Sequence, residues 1–404
     1  MRYSHALVVA VWAAGSMFMG GCREKKTEEA KPGTSTETAA KTDTTSASRD
    51  TILLGHVGAT SGGEATYGLS SDNAFKLAVE EQNKKNGIKG KKIELKTLDD
   101  QGKPEEAAVT ATRLITQDKV TLILGPETSG RSLAVGPIAD QNHIPMITQS
   151  ATSAKVTLDG DKTRPYVFRT CFIDPFQGTV MAKFARENLK VNKVAILRDV
   201  GSDYSMGLAK AFTAKFTSMG GQIVGDVSFK AGEPDFKAQL TAVRGKNPDV
   251  LYVPAYYTDV ALIGRQAREL GMKQPLMGGD GWDSPKLFEI AKGALDGSFY
   301  SNHYSPEDPS PVVADFIAKY KKTYNATPDA FAVLAYDAAN LAFAAMERAK
   351  DLSGPSIREE LENTKSFKGV SGTVNIDEKH NAVKSAVVIG IEKNAPKFNA
   401  TVEP

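Results

Sequence analysis

The chain has 404 residues, enough for two ordinary domains that each bury a core of their own. Lys and Arg number 50 against 48 Asp and Glu, with no long basic block in the body, so the composition gives no support to nucleic-acid binding. Five scattered histidines and two cysteines, with no HExxH, no CxxC and no Gly-Lys-Ser/Thr ending to a phosphate loop, point away from enzymatic or metal chemistry, and no cofactor is implied.

Residues 1–21 read as a targeting segment: Arg2, then the apolar stretch ALVVAVWAAGSMFMGG, too short to span a bilayer comfortably. It ends at Cys22, and MGGC, Met19 to Cys22, resembles the bacterial lipobox, with Met where Leu is commonest. That resemblance implies a lipidated Cys22 and a membrane anchor. Residues 22–50 read as a disordered tether, since Arg23 to Asp50 contains no Val, Ile, Leu, Met or aromatic residue and cannot bury enough surface to offset its ordering entropy. Its end-to-end distance is on the order of 30 Å. With Cys22 acylated, Cys171 has no disulfide partner and reads as a small core residue.

From residue 51 apolar strands alternate with amphipathic helices. TILLGHVG is a buried-type strand, a helix runs from Asp72 to Lys84, and KKIELKTL alternates as a half-buried strand. Pro104 opens a helix with Ala107, Ala111, Leu114 and Ile115 on one stripe, and VTLILG closes the unit. The rhythm restarts with KVAILRD, the helix around MGLAKAFTAKF, GQIVGDVSF, a helix from Asp235 to Val243, DVLYVPA, and a helix ending at Gly271. Strand, helix, strand in this order predicts an α/β fold of two doubly wound parallel-sheet lobes. Residues 309–365 read as mostly helical and 366–391 as short strands. Assigning 51–171 and 304–365 to the first lobe and 172–303 and 366–404 to the second makes the chain cross repeatedly, giving a multi-stranded hinge and a cleft.

Ligands of open parallel sheets bind beyond the carboxyl ends of strands. Four post-strand stretches carry suitable groups. In GPETSG, Thr128 or Ser129 is placed to cap the next helix, whose free N–H groups suit a carboxylate or phosphate. TQSATSAKVT adds the hydroxyls of Ser150, Thr152 and Ser153. RDVGSDYSMG and VPAYYTDV bring Tyr204, Tyr256 and Tyr257. MGGDGWD sets Asp280 among glycines that let its backbone approach closely. Each alone has a bland reading as a cap, a polar loop or a core aromatic. Together they supply donors for the carboxylate, and an acid and aromatic faces for the ammonium, of an α-amino acid.

Through GATSGGEATYG, LDDQGKPEEAA, GPETSG, ITQSAT, YVFRT, YYTDVALIGRQARELG and MGGDGWDSPKL, the body is similar to the leucine/isoleucine/valine-binding family, the type I solute-binding proteins of ABC importers. The resemblance implies a monomer that captures an amino acid or amide by hinge closure and delivers it to permease subunits. It also implies that Ser129 and Thr152, with backbone groups of Ser150 and Ala151, take the ligand carboxylate. Tyr204 and Tyr256 line the second lobe, Asp280 pairs with the ammonium, and Tyr67 meets the ligand side chain. The chain departs from the family in carrying Asp280 where its best-known members have Glu, and in lacking the paired cysteines of some. The rival reading is an envelope lipoprotein of the same fold acting as a ligand sensor or protein-partner regulator.

Overall fold

The computed structural model describes residues 50–402; the targeting segment, Cys22 and the tether up to residue 49 lie outside the described residues. The first half is β1 (Thr51–Gly58), α1 (Ala65–Lys84), β2 (Lys92–Asp99), α2 (Pro104–Thr116), β3 (Leu122–Leu124), α3 (Ser129–Asn142), β4 (Met146–Thr148), a small hairpin of β5 (Leu158–Asp159) and β6 (Lys162–Thr163), and β7 (Val167–Arg169). Its sheet is parallel throughout, in the order β2-β1-β3-β4-β7. β3, β4 and β7 are fully buried, as a sheet covered on both faces requires, with only Thr148 and Arg169 polar among them. α2 starts at Pro104, where a missing N–H leaves no helical bond unmade, and buries Ala107, Ala111, Leu114 and Ile115. α1 starts a full two turns before Asp72, because Tyr67 and Gly68 also pack inward; a Cβ on Gly68 would stand 2.1 Å from the Ala59 carbonyl oxygen.

The second half is α4 (Asp174–Lys183) running into a π-helical turn, β8 (Lys193–Asp199), α5 (Asp203–Ser218), β9 (Gln222–Phe229), α6 (Lys237–Arg244), β10 (Val250–Tyr252), α7 (Tyr257–Glu269), β11 (Leu276–Gly278), a 3-10 turn at Asp280–Trp282, α8 (Pro285–Ala291) and β12 (Phe299–Asn302). There follow α9 (Pro311–Tyr324), α10 (Ala330–Arg348), α11 (Gly354–Glu362), β13 (Phe367–Gly369), β14 (Gly372–Ile376), β15 (Ala382–Val383), β16 (Ala386–Glu392) and β17 (Ala395–Val402). The second sheet has the order β9-β8-β10-β11-β12-β16-β17. It is parallel from β9 to β12, but β16 and β17 are antiparallel, so this lobe is mixed rather than all-parallel. For β17 the reason is local: Lys393 and Asn394, both at positive φ, form a two-residue turn that folds it straight back on β16.

α10 lies along α1 and against β3 and β4, on the first sheet. It is apolar and long enough to cross a membrane, yet it is the core helix of this half, with Ala332, Ala335, Ala338 and Ala342 fully buried. The last strands do not stay together, which corrects the assignment of residues 366–383 to the second lobe. β13, β14 and β15 form a separate three-stranded sheet, and Val370, Val374, Ile376 and Ala382 join the first-sheet core. Asp337 of α10 fixes them there, its carboxylate accepting the N–H groups of Val370 (2.6 Å) and Ser371 (2.9 Å). The chain thus passes between the sheets after β7, after β12 and after β15. All described residues belong to one compact unit.

Candidate ligand-binding site

The post-strand segments of both sheets meet at a cavity of about 10 Å³. After β3 the chain contributes Glu127, Thr128 and Ser129, and after β4 it contributes Ser150 and Thr152. From the other side come Tyr204 in the first turn of α5, Tyr256 after β10, and Asp280 with Gly281 after β11; Phe331 of α10 closes one end. A space of this size is at the threshold for a single water, so the two sides are nearly in contact.

A buried ionic network holds the first wall. Arg131, in the first turn of α3, donates from Nη1 to Asp100 (2.8 Å) and Glu127 (2.9 Å) and from Nη2 to Glu64 (3.1 Å). Its Nε donates to Thr128 Oγ1 at 2.7 Å. On the far side of Glu127, His56 bonds Oε1 at 3.1 Å and Asp72 at 3.4 Å. Burial alone would lower the His56 pKa, but hydrogen bonds and charge from Asp72 and Glu127 push it up to about 9. Burial would raise Glu127, but Arg131 and His56 hold it down at about 2. Glu127 therefore meets the cavity as a carboxylate already neutralised by its own surroundings. Arg169, wholly buried, donates to Ala151 O (2.6 Å) and Ser153 O (2.9 Å), fixing the hydroxyl-bearing loop after β4.

On the second wall the glycines are required by contact. A Cβ on Gly279 would stand 2.5 Å from the Tyr204 hydroxyl, and one on Gly281 would stand 2.9 Å from the Tyr256 ring. Asp280 N–H donates to Gln177 Oε1 (2.8 Å), and Gly281 N–H donates to the Tyr204 hydroxyl (3.2 Å). The Tyr204 and Tyr256 rings stack with centroids 5.2 Å apart. Asp280 Oδ2 pairs with His303 Nε2 at 3.0 Å, and His303 stacks on Phe172. Burial lowers the His303 pKa against the pull of Asp280, so the ring is a neutral donor to one carboxylate oxygen. The other oxygen, Oδ1, is buried with no partner among the described residues.

The structure brings six of the eight expected residues around this cavity: Ser129, Ser150, Thr152, Tyr204, Tyr256 and Asp280. Tyr67 does not line it. Its hydroxyl donates to the Gly281 carbonyl and its ring stacks on Phe331 (3.9 Å), so Tyr67 joins the two sides while Phe331 faces the cavity. Ala151 is also outside: its N–H is bonded to Thr148 Oγ1 (3.1 Å) and its carbonyl to Arg169. Neither Thr128 nor Ser129 caps α3, since Arg131 takes the Thr128 oxygen and Ser153 N–H takes Ser129 Oγ (3.1 Å). Ser150 Oγ donates to the Glu127 carbonyl (2.9 Å), leaving its backbone for any ligand. Sequence reasoning did not single out Glu127, Arg131, His303 or Phe331. Glu127 stood in a quoted motif, Arg131 and Phe331 carried only the signal of falling inside predicted helices, and His303 fell in no predicted element. Cys171 is buried, its thiol pushed up to about 12 by burial, as an inert core residue.

Two α/β bodies whose post-strand loops enclose one small polar cavity define a solute-binding protein rather than an enzyme. The chain belongs to the periplasmic binding protein family, whose model matches residues 51–395. It is 33% identical over 302 residues to the Leu/Ile/Val-binding protein BraC3 of Rhizobium johnstonii, spanning 74% of this chain and 79% of that protein. Its structure is similar to that of a leucine binding protein LivK from Thermotoga maritima, with a TM-score of 0.83, 39% identity, and coverage of 87% of this chain and 99% of that one. It is also similar to the branched-chain amino acid transporter substrate binding protein LivJ from Streptococcus pneumoniae in complex with isoleucine, with a TM-score of 0.82, 35% identity, and coverage of 88% and 100%.

Proposed function

We propose that this protein is an extracytoplasmic receptor for a small L-α-amino acid, branched-chain or similar in size, which it delivers to the permease of an ABC importer. The observation that carries the reading is the buried Oδ1 of Asp280, without a partner among the described residues, on a residue that lines one cavity with Ser129 and Thr152. A buried carboxylate oxygen without a donor is costly, and an ammonium would supply both charge and hydrogen bonds. An aromatic carboxylate would satisfy the hydroxyls but leave Asp280 bare, so a zwitterion fits better. The names of the relatives, which are leucine- or Leu/Ile/Val-binding proteins, agree with this class.

In the proposed cycle the two bodies separate about the three crossing segments, the amino acid docks on the first wall through its carboxylate, and Tyr204, Tyr256 and Asp280 close over it. Closure is favoured because the ligand touches both bodies at once. Cys22, when lipidated, would hold the receptor at a membrane as a monomer on its tether. A thermal-shift panel of the common L-amino acids and small amides tests the reading. Stabilisation by aliphatic amino acids and none by the matching amines or carboxylic acids is expected; equal response to acids lacking an amino group would overturn it.

A further inference from the structure

Two acids line the ligand cavity, Glu127 and Asp280, and a buried histidine bonds each of them. The two histidines are not equivalent. His56 has an acid at both ring nitrogens, Glu127 at 3.1 Å and Asp72 at 3.4 Å, and Arg131 also reaches Glu127 at 2.9 Å, so the charge of Glu127 is cancelled. His303 has an acid at one nitrogen only: Nε2 lies 3.0 Å from Asp280 Oδ2, while Nδ1 is buried with no partner among the described residues. We propose that His303 is the positioning residue of the ammonium subsite: as a neutral Nε2–H donor it holds Asp280 through Oδ2 without cancelling its charge, so that the ligand ammonium goes to Asp280 and not to Glu127.

A carboxylate oxygen can only accept, so Nε2 carries the ring proton in this bond. A second proton would sit on Nδ1 as a buried, charged N–H without an acceptor, which is costly. Burial opposes that proton more strongly than the hydrogen bond and charge of Asp280 favour it, and the buried Lys384 ammonium adds to the burial. The ring is also fixed in place. His303 is the first residue after β12, where the chain crosses between the sheets, and its ring stacks at 3.7 Å on Phe172, which follows β7 in the first crossing. Gln177 holds the same acid by its backbone, Oε1 accepting the Asp280 N–H at 2.8 Å. Secured at its N–H and at Oδ2 by neutral groups alone, Asp280 keeps its full negative charge and one unbonded oxygen, whereas Glu127 shares its charge with two cations.

This inference rests on the amino-acid reading, and the test separates the two. Calorimetry at pH 7 uses the L-α-amino acid with the largest shift in the thermal panel. His303→Leu, which removes the donor, is expected to weaken binding by about tenfold, while His303→Gln, whose amide N–H replaces Nε2–H, should recover to within about threefold of wild type. Nuclear magnetic resonance of protein labelled with nitrogen-15 histidine reads the ring directly, because the two nitrogens of a neutral imidazole resonate far apart and those of an imidazolium close together. At pH 7 His56 should give the imidazolium pattern and His303 the neutral Nε2–H pattern, and adding the amino acid should move the His303 signals. Those signals are identified by their absence in His303→Gln or by the contact with the Phe172 ring, so the wild-type spectrum decides the matter if a variant does not fold. His303→Gln binding as weakly as His303→Leu, an imidazolium at His303, or His303 signals unmoved by the amino acid would overturn the proposal while leaving the receptor reading intact. A wild-type protein that binds no α-amino acid would overturn both.

Discussion

Among single residues, Asp280 carries the sharpest consequence. Its Oδ2 is already engaged by His303, so only Oδ1 is available to an ammonium. Asp280→Ala should therefore reduce amino-acid affinity by about 2–5 kcal/mol, the usual cost of deleting one partner of a buried charge pair. The melting temperature of the ligand-free protein should hardly change, since the deletion also relieves an unsatisfied buried oxygen. Unaltered affinity by calorimetry would remove Asp280 from the site. Phe331 governs a different property. It faces the cavity and is braced from behind by Tyr67, so Phe331→Ala should alter preference among apolar side chains by about 1–3 kcal/mol, with less effect on the head group they share. A uniform loss across leucine, valine and alanine would count against that role. The shorter acid at 280 also finds a structural setting: His303 holds Asp280 from behind.

At the level of elements, the ionic network ties β1, α1, α3 and the loop after β3 through His56, Asp72, Glu127 and Arg131. Its dependence on pH follows from the two shifted groups. The His56 pKa of about 9 lies above its ordinary 6.5, so its stabilisation is complete below about pH 6.5 and is lost as pH rises through about 9. The Glu127 pKa of about 2 lies below 4.5, so its contribution is present above about pH 4.5 and is lost as pH falls through about 2. His56→Leu should cost about 3 kcal/mol near pH 6 by taking one buried cation from Glu127 and Asp72, which keep Arg131 and Lys76, and should abolish the alkaline part of the melting-temperature decline. Parallel melting curves against pH for both proteins would show that His56 is not the titrating group. The same elements show what a sequence can reveal. Buried strands and striped helices were readable because their periodicity is local, and the loops after them followed from the strand ends. Arg131 was not readable, because its burial depends on Glu64, Asp100 and Glu127 converging from three separate segments. Nor was the placement of residues 369–376 within the short strands expected over 366–391: a short alternation specifies one buried face but not which sheet covers it, and that was decided by Asp337 on α10. Tyr67 was found as a site-side aromatic, but its partners, Gly281 and Phe331, lie more than two hundred residues away in the chain.

For the molecule as a whole, the contacts joining the two sides matter more than the cavity they surround. Tyr67 reaches the Gly281 carbonyl, Thr66 Oγ1 and Ser284 Oγ lie 2.9 Å apart, and Thr258 Oγ1 donates to the Gly63 carbonyl at 3.0 Å. Lys155 and Asp203 pair at 2.7 Å. Apart from Tyr67, which is wholly buried and packs its ring on Tyr256, Tyr257 and Phe331, these contacts are single polar pairs; the exposed ion pair contributes at most about 1 kcal/mol. A cavity of about 10 Å³ cannot hold leucine, so an amino acid can enter only when these contacts break, and the two sides must then close around a wider space than this one. Closure therefore predicts coupled protection. In hydrogen-exchange mass spectrometry, adding the amino acid should slow exchange in residues 63–67, which touch no proposed head-group donor, together with residues 256–258 and 281–284 on the opposite side. Asp280→Ala should abolish both changes together at the same ligand concentration. Tyr67→Phe, which deletes one cross-contact without touching the cavity, should lower affinity by about threefold to tenfold, as expected for one neutral hydrogen bond. Protection confined to the loops after β3 and β4 would mean that the ligand docks on one body without drawing the other over it, and hinge closure would have to be abandoned.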